Sequence, residues 1–288
     1  MRWCIFGSSG QIGSATKSVI READEVFSPT HSQVDISDQV AVSEYLLDAR
    51  PDVVLNAAAF TDVDGSEVDV EHARLINAEA VGVMSTACQE LGAKLIHIST
   101  DYVFDGRSPR PYVEFDEIAP LSAYGASKAM GEKLAITNNP QTWVIRTSWV
   151  YQGGFTNFPS AIISKLRRGE RVSVVEDQIG APTYASDVAQ ALIELASSSA
   201  PFGTYHVTNQ GQTSWFGFAQ VIAETLGFNA DLVSPISTES FARPAQRPLY
   251  SVLSNEKWQT AGLKPLSTWQ EAWQRGTIGF VEQNSNEG

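Results

Sequence analysis

The chain holds two cysteines in 288 residues, Cys4 and Cys88, too few for a disulfide framework or a thiolate metal site. Each has apolar sequence neighbours of the kind that surround buried free thiols, and a reducing compartment is expected. Basic charge is also scarce: 20 Lys and Arg stand against 33 Asp and Glu, a formal charge of −13. A partner such as nucleic acid or an anionic membrane requires a cationic face that displaces counterions, so neither is expected. A small diphosphate requires only a helix N-terminus and an arginine or two, and stays open. Nowhere do 18 apolar residues run together, and the start, MRWCIFGSSG, enters a short apolar run with no leader-like stretch, which predicts a cytoplasmic protein. Repeats and low-complexity tracts are missing, and only the polar tail 282–288 reads as disordered.

What is present suffices for a core: 43% of residues are hydrophobic and 18% charged. The first two-thirds alternates short β-branched runs with longer amphipathic stretches, the pattern of parallel strands joined by crossover helices. Strands are predicted at 3–6, 25–28, 53–55, 94–99 and 142–147, with 172–175 extending the same sheet. Helices are predicted at 11–21, 38–50, 66–91, 123–138 and 186–195. The fold class is therefore α/β, a Rossmann-like doubly wound parallel sheet with a smaller C-terminal substrate lobe. Residues 1–148 plus 172–200 form the dinucleotide-binding domain in this reading, and 149–171 plus 201–253 form the lobe. Residues 254–281 are C-terminal helices packed on the body, with Trp269 and Trp273 at helical spacing.

Gly7, Gly10 and Gly13 follow the first strand and open the first helix, with Gln11 and Ile12 between the last two. Glycines there let the backbone turn tightly and bring helix N–H groups onto a pyrophosphate. The spacing is GxxGxxG, and a bare tight turn would also use it. The second strand runs into Phe27-Ser28-Pro29-Thr30-His31, without the carboxylate that usually takes ribose hydroxyls and favours NAD. NADPH or NADH therefore both fit. Asp35 and Ile36 are candidate adenine-side contacts, although Asp35 could equally start a helix. Ala57, Ala58 and Ala59 after the third strand suit close approach of a dinucleotide or close helix–sheet packing alike, and the carboxylates of Asp62 and Asp64 could as easily cap the helix that follows as meet a ligand.

Tyr124 and Lys128 lie four residues apart on one helix face, so both reach one site. A nearby cation favours a phenolate and is expected to lower the tyrosine pKa toward a range useful for proton transfer. Thr100, in Ser99-Thr100-Asp101 at the end of the fourth strand, could hold a carbonyl oxygen against that tyrosine.

A glycine loop, a strand-end hydroxyl and a Tyr-x-x-x-Lys helix together resemble the extended short-chain dehydrogenase/reductase superfamily. The segments STDYVFDG (99–106), RTSWVY (146–151), DQIGAPT (177–183), NAAA (56–59), Val63-Asp64 and Arg247-Pro248 resemble its dTDP-4-dehydrorhamnose reductase family over nearly the whole chain. The resemblance implies an NAD(P)H-dependent reduction of a nucleotide-sugar 4-keto group, with a small-molecule substrate and a monomer or homodimer. It implies Tyr124 as proton donor, Lys128 on the nicotinamide ribose and depressing the tyrosine pKa, and Thr100 on the carbonyl. It also implies Asp101, Tyr102 and Trp149 around the sugar, Arg247 on the diphosphate and Asn77 as a supporting asparagine, although Trp149 could equally be core and Arg247 could pair only with a surface carboxylate. Some members bind a divalent metal through a glutamate two residues after the third glycine; Ala15 stands there, and no metal is expected. The same branch includes the regulatory subunit of methionine adenosyltransferase, a non-catalytic alternative that retention of Thr100, Tyr124 and Lys128 argues against. A reductase or epimerase of another nucleotide sugar is the third reading.

Overall fold

The computed structural model describes residues 1–281. The chain starts with β1 (Arg2–Phe6), α1 (Gln11–Val19), β2 (Glu25–Phe27), α2 (Gln39–Ala49) and β3 (Val53–Asn56). Three helical pieces, α3 (Gly65–Val68), α4 (Val70–Arg74) and α5 (Ala80–Leu91), lead to β4 (Lys94–Thr100), α6 (Ala123–Asn138) and β5 (Thr142–Thr147). β6 (Val150–Tyr151), α7 (Phe158–Arg167), β7 (Val172–Val175), β8 (Ile179–Gly180) and β9 (Thr183–Tyr184) intervene before α8 (Ala185–Ser197) and β10 (Gly203–His206). Then follow β11 (Thr213–Ser214), α9 (Trp215–Thr225), β12 (Val233–Ile236), α10 (Glu256–Thr260), α11 (Trp269–Gly276) and α12 (Ile278–Val281).

The main sheet has six parallel strands in the order β10-β5-β4-β3-β1-β2. Order reverses beside β1, and ligands in such sheets bind in the crevice beyond the strand ends at that point. One face is covered by α1 and α8, burying Trp3, Ile5, Leu55, Ile96, Trp143, Val188 and Leu192. The other is covered by α2, α5 and α6, burying Cys4, Phe6, Val54, Leu95, Leu46, Met84 and Cys88. Cys4 and Cys88 are both buried free thiols, their pKa pushed up by burial. Among the described residues no helix is long and apolar enough to cross a membrane.

The sixth strand corrects the sequence reading. Val172–Val175 pairs with β12 in a separate two-stranded sheet, and Gly203–His206, read as lobe, pairs with β5. Burial explains the exchange. Ser173 on β7 is exposed between buried Val172 and Val174, which suits a sheet with one wet face, whereas strands inside a doubly covered sheet are buried on both. Tyr205 and His206 meet that condition.

The helix expected over 66–91 is also interrupted. Asp69 leaves helical geometry and caps α4 through His72 N, and Leu75–Glu79 forms a π-helical turn before α5. The terminal helix divides into α11 and α12, and Trp269 and Trp273 pack with Phe218, Ile222 and Tyr151 in the smaller core formed by α7, α9 and β7. The expected tail at 282–288 lies outside the described residues.

Candidate functional site

One cavity of about 780 Å³ runs from the glycine loop to the end of β4. Gly7, Gly10, Gln11 and Ile12 line it at one end, with Asp35 and Ile36 beside them. Ala57, Ala58 and Ala59 line its middle, and Thr100, Asp101, Tyr124, Lys128 and Trp149 close the other end. Residues spread over 140 positions of sequence thus share one wall because the parallel strands all deliver their carboxyl ends to one edge.

The glycine end is built by close approach. Gly7 has φ +76°, and a Cβ there would stand 2.5 Å from Ala58 N, so the loop and the alanines after β3 touch backbone to backbone. Gly13 lies outside the cavity lining; a Cβ on it would strike the Gly7 carbonyl, so this glycine lets α1 seat under the loop. Gly10 is the N-cap of α1 and contributes no side-chain bond, leaving the first-turn N–H groups and the positive end of the helix directed at an anion. Asp35 accepts from Ser37 N and Ser37 Oγ at 2.9 and 2.8 Å, which holds its carboxyl below the usual range. The helix start that Asp35 could have supplied belongs to Asp38, which caps α2.

At the opposite end, Thr100 and Tyr124 line the same stretch of wall, and Thr100 donates to Asp101 Oδ1 at 3.1 Å. Lys128, almost wholly buried, donates from Nζ to the Ile98 carbonyl at 2.7 Å. Asn77, presented by the π-helical turn, exchanges two bonds with the Phe60 backbone at 2.9 and 3.0 Å and donates to Ser127 Oγ at 3.0 Å. It therefore ties the loop after β3 to the helix turn that carries Tyr124 and Lys128.

The expected lowering of the Tyr124 pKa is not met: burial pushes it up to about 12, against a lesser pull downward from Thr100. The Lys128 ammonium is directed to a backbone carbonyl, so the loss of water around the phenol dominates. Lys128 itself is lowered to about 8 by burial, opposed by Glu132. Asp101 is raised to about 7 because it is buried.

Two expected sugar-side residues stand behind the lining. Arg247 donates from both terminal nitrogens to Asp64, at 2.6 and 2.9 Å, and from Nη1 to the Ala245 carbonyl at 2.6 Å. Tyr102 meets the Tyr124 ring edge to face, with centroids 6.0 Å apart. Trp149 takes a half-buried place on the cavity wall and not a core position. Sequence reasoning missed Thr147, the cross-strand partner of Thr100 and another lining residue. It also missed Glu132, although its spacing of four from Lys128 on one helix was a readable signal.

These residues fit a dinucleotide. The glycine cradle admits no side chain, and at the far end Asp101 Oδ2 and Thr147 Oγ1 are buried with no hydrogen-bond partner among the described residues. Buried polar atoms without partners are costly, so a cavity ending in two of them suits a polar ligand. Among the described residues no cluster of His, Cys, Asp and Glu could hold a metal ion.

A doubly wound sheet, a glycine loop at its switch point and a Tyr-Thr-Lys group at the other end of one cavity define a nucleotide-dependent reductase of the short-chain type. The chain belongs to the dTDP-4-dehydrorhamnose reductase family: the model described as RmlD substrate binding domain matches residues 1–278. It is 42% identical over 277 residues to dTDP-4-dehydrorhamnose reductase of Mycobacterium tuberculosis (strain H37Rv), covering 94% of this chain and 90% of that protein. The spore coat polysaccharide biosynthesis protein SpsK of Bacillus subtilis is 40% identical, covering 93% and 94%. The solved structure of dTDP-4-dehydrorhamnose reductase from Bacillus anthracis in complex with NADP superposes with a TM-score of 0.93 at 36% identity, over 96% of this chain and 98% of that one. The family is one of nicotinamide-dependent oxidoreductases.

Proposed function

We propose that the chain reduces the 4-keto group of dTDP-4-dehydro-L-rhamnose to the hydroxyl of dTDP-L-rhamnose, using NADPH or NADH. The observation that carries this is the convergence of Thr100, Tyr124 and Lys128 at one end of a cavity that begins at the glycine loop. Two hydroxyls on one wall of the cavity can grip one carbonyl oxygen between them. When bound, the reduced nicotinamide supplies the hydride.

The protein's own groups do the rest. The first turn of α1 holds the pyrophosphate, and Ala57, Ala58 and Ala59 let the cofactor cross the sheet edge. Lys128 orients the nicotinamide ribose. Thr100 fixes the keto oxygen, and Tyr124 gives it a proton as the carbon is reduced. A phenol with its pKa near 12 is fully protonated at neutral pH, which a donor requires. Asp101 and Trp149 contact the sugar. Arg247 would meet the diphosphate only after releasing Asp64. We retain a cytoplasmic location and a monomer or homodimer as expectations of this reading.

The test mixes purified protein with NADPH or NADH and enzymatically prepared dTDP-4-dehydro-L-rhamnose, following absorbance of the reduced nicotinamide. Sugar-dependent consumption that vanishes in Tyr124→Phe supports the proposal. No consumption despite demonstrable nucleotide binding overturns it, in favour of a binding subunit or another nucleotide sugar.

A further inference from the structure

Behind the cavity wall lies a buried ion pair that the proposed reduction does not use. Arg146 on β5 donates to both carboxylate oxygens of Glu132 on α6, from Nε at 2.9 Å and from Nη2 at 2.7 Å. Both side chains are almost completely shielded from water. A well-packed apolar pair of the same size would stabilise the fold at least as well, so stability alone gives this pair no reason to be charged. Its neighbours supply one. Ser99 Oγ donates to Glu132 Oε1 at 2.5 Å. Ser99 is flanked by Ile98, whose carbonyl receives Lys128 Nζ, and by Thr100, which lines the cavity with Tyr124. Glu132 also sits one turn beyond Lys128 on the same helix.

We propose that Glu132 is a positioning residue of the reductase site: clamped by Arg146 and one turn beyond Lys128, its carboxylate fixes the strand end Ile98–Thr100 through Ser99. The inference rests on the reductase reading given above. Other charged or titratable groups around the pair do not replace Glu132. His206 on β10 approaches Arg146 Nη1 at 3.4 Å, and His97 lies on β4; burial and the adjacent cations push both imidazoles far down, so both are neutral. Glu114 receives Arg146 Nη1 on its backbone carbonyl at 3.3 Å, and its carboxylate accepts from His206 N. The charge that opposes the burial of Lys128 is that of Glu132.

The experiment compares Glu132→Gln and Ser99→Ala with the wild-type chain in NAD(P)H oxidation across pH 6 to 10, with circular dichroism to verify folding. Glu132→Gln keeps the shape and loses the charge. Lys128 then releases its proton at lower pH, and the alkaline limb of kcat/KM is expected to move down by about 1 pH unit. Ser99→Ala keeps the charge and loses the tether; kcat is expected to fall about 3- to 10-fold with the limb unmoved, as for a small misplacement of reacting groups. A folded Glu132→Gln with wild-type kcat and an unmoved limb overturns the proposal. If Glu132→Gln does not fold, an unchanged kcat in Ser99→Ala overturns it. Failure of the reductase reading is a separate result, seen as an inactive wild-type chain. In that event an NMR titration of the Lys128 side chain, with and without Glu132→Gln or Ser99→Ala, decides the question without substrate: an unmoved midpoint in a folded Glu132→Gln counts against it, as does a wild-type Lys128 environment in Ser99→Ala.

Discussion

Trp149 lies flat against Trp215, with ring centroids 3.6 Å apart and planes 8° from parallel, while its own backbone is held at φ +48°. A non-glycine residue in the left-handed region costs energy that its surroundings must supply. Trp215 covers one indole face, Phe158 packs against Trp215 at 4.4 Å, and Gly180 leaves no room behind the ring: a Cβ there would stand 2.6 Å from Trp149 Cζ2. The stack joins the end of β5 to the lobe helix α9 and aims Trp149 at the cavity.

Removing that support is expected to act on the sugar and not on the cofactor. Trp215→Ala should raise the KM for the sugar nucleotide by roughly 2- to 10-fold, the worth of one aromatic pair, with cofactor KM unchanged. Steady-state kinetics in both substrates checks this, and an equal rise in both would show that the stack supports the whole fold instead.

Tyr124→Phe keeps the ring against Tyr102 and removes only the hydroxyl. Its kcat is expected to fall by about 10²- to 10⁴-fold, the usual loss for a general acid, while cofactor affinity measured by fluorescence quenching stays the same. Near wild-type turnover would remove Tyr124 from the proposed role.

Asp64 ties two segments far apart in sequence. It accepts from Arg247, from Ala245 N at 3.1 Å and from Arg243 at 3.3 Å, and these bonds draw its pKa down to about 2 from an ordinary 3.8. A carboxyl lowered in the folded state adds stability that is complete above the ordinary value and is lost as pH falls through about 2. Asp64→Asn should therefore cost on the order of 2 kcal/mol at pH 7 and almost nothing below pH 2, a difference thermal melts at the two pH values would reveal. Equal losses at both would mean that the carboxylate charge is not what holds the segment from Arg243 to Arg247.

Cofactor choice has its own test at the end of β2. No carboxylate stands there, and Lys17 Nζ donates to Ser28 Oγ at 2.8 Å, placing a cation beside the position that usually reads the ribose 2′ group. NADPH is expected to be preferred. Ser28→Asp should shift the ratio of kcat/KM toward NADH by roughly 10-fold, since a carboxylate repels a 2′-phosphate and accepts from a 2′-hydroxyl. A ratio that does not move would put the discriminating contact elsewhere, with His31 on the cavity rim the next residue to change.

Several features were legible because they are local. β-branched runs, Pro51 before β3 and the glycines after β1 fixed the strand–helix alternation and the place of the nucleotide loop. The four-residue spacing of Tyr124 and Lys128 put them on one face with no reference to the rest of the chain. Other features depended on which segments meet. Val172–Val175 and Gly203–His206 are both plausible strands by composition, and only burial on one face or two decided which joined the main sheet. Arg247 carries a charge suited to a diphosphate, yet Asp64, 183 residues away, occupies it.

By itself, then, the sequence determined the class of fold, the glycine loop and the placing of Tyr124 and Lys128 on one helix face, since each rests on periodicity or short spacing. The tertiary structure alone decided the protonation of those groups and what surrounds them. Whether Tyr124 is raised or lowered depends on burial and on where the Lys128 ammonium points, and the pairing of Glu132 with Arg146 and Ser99 depends on α6, β5 and β4 meeting. Desolvation and long-range pairing are properties of packed neighbours, which no spacing along the chain encodes.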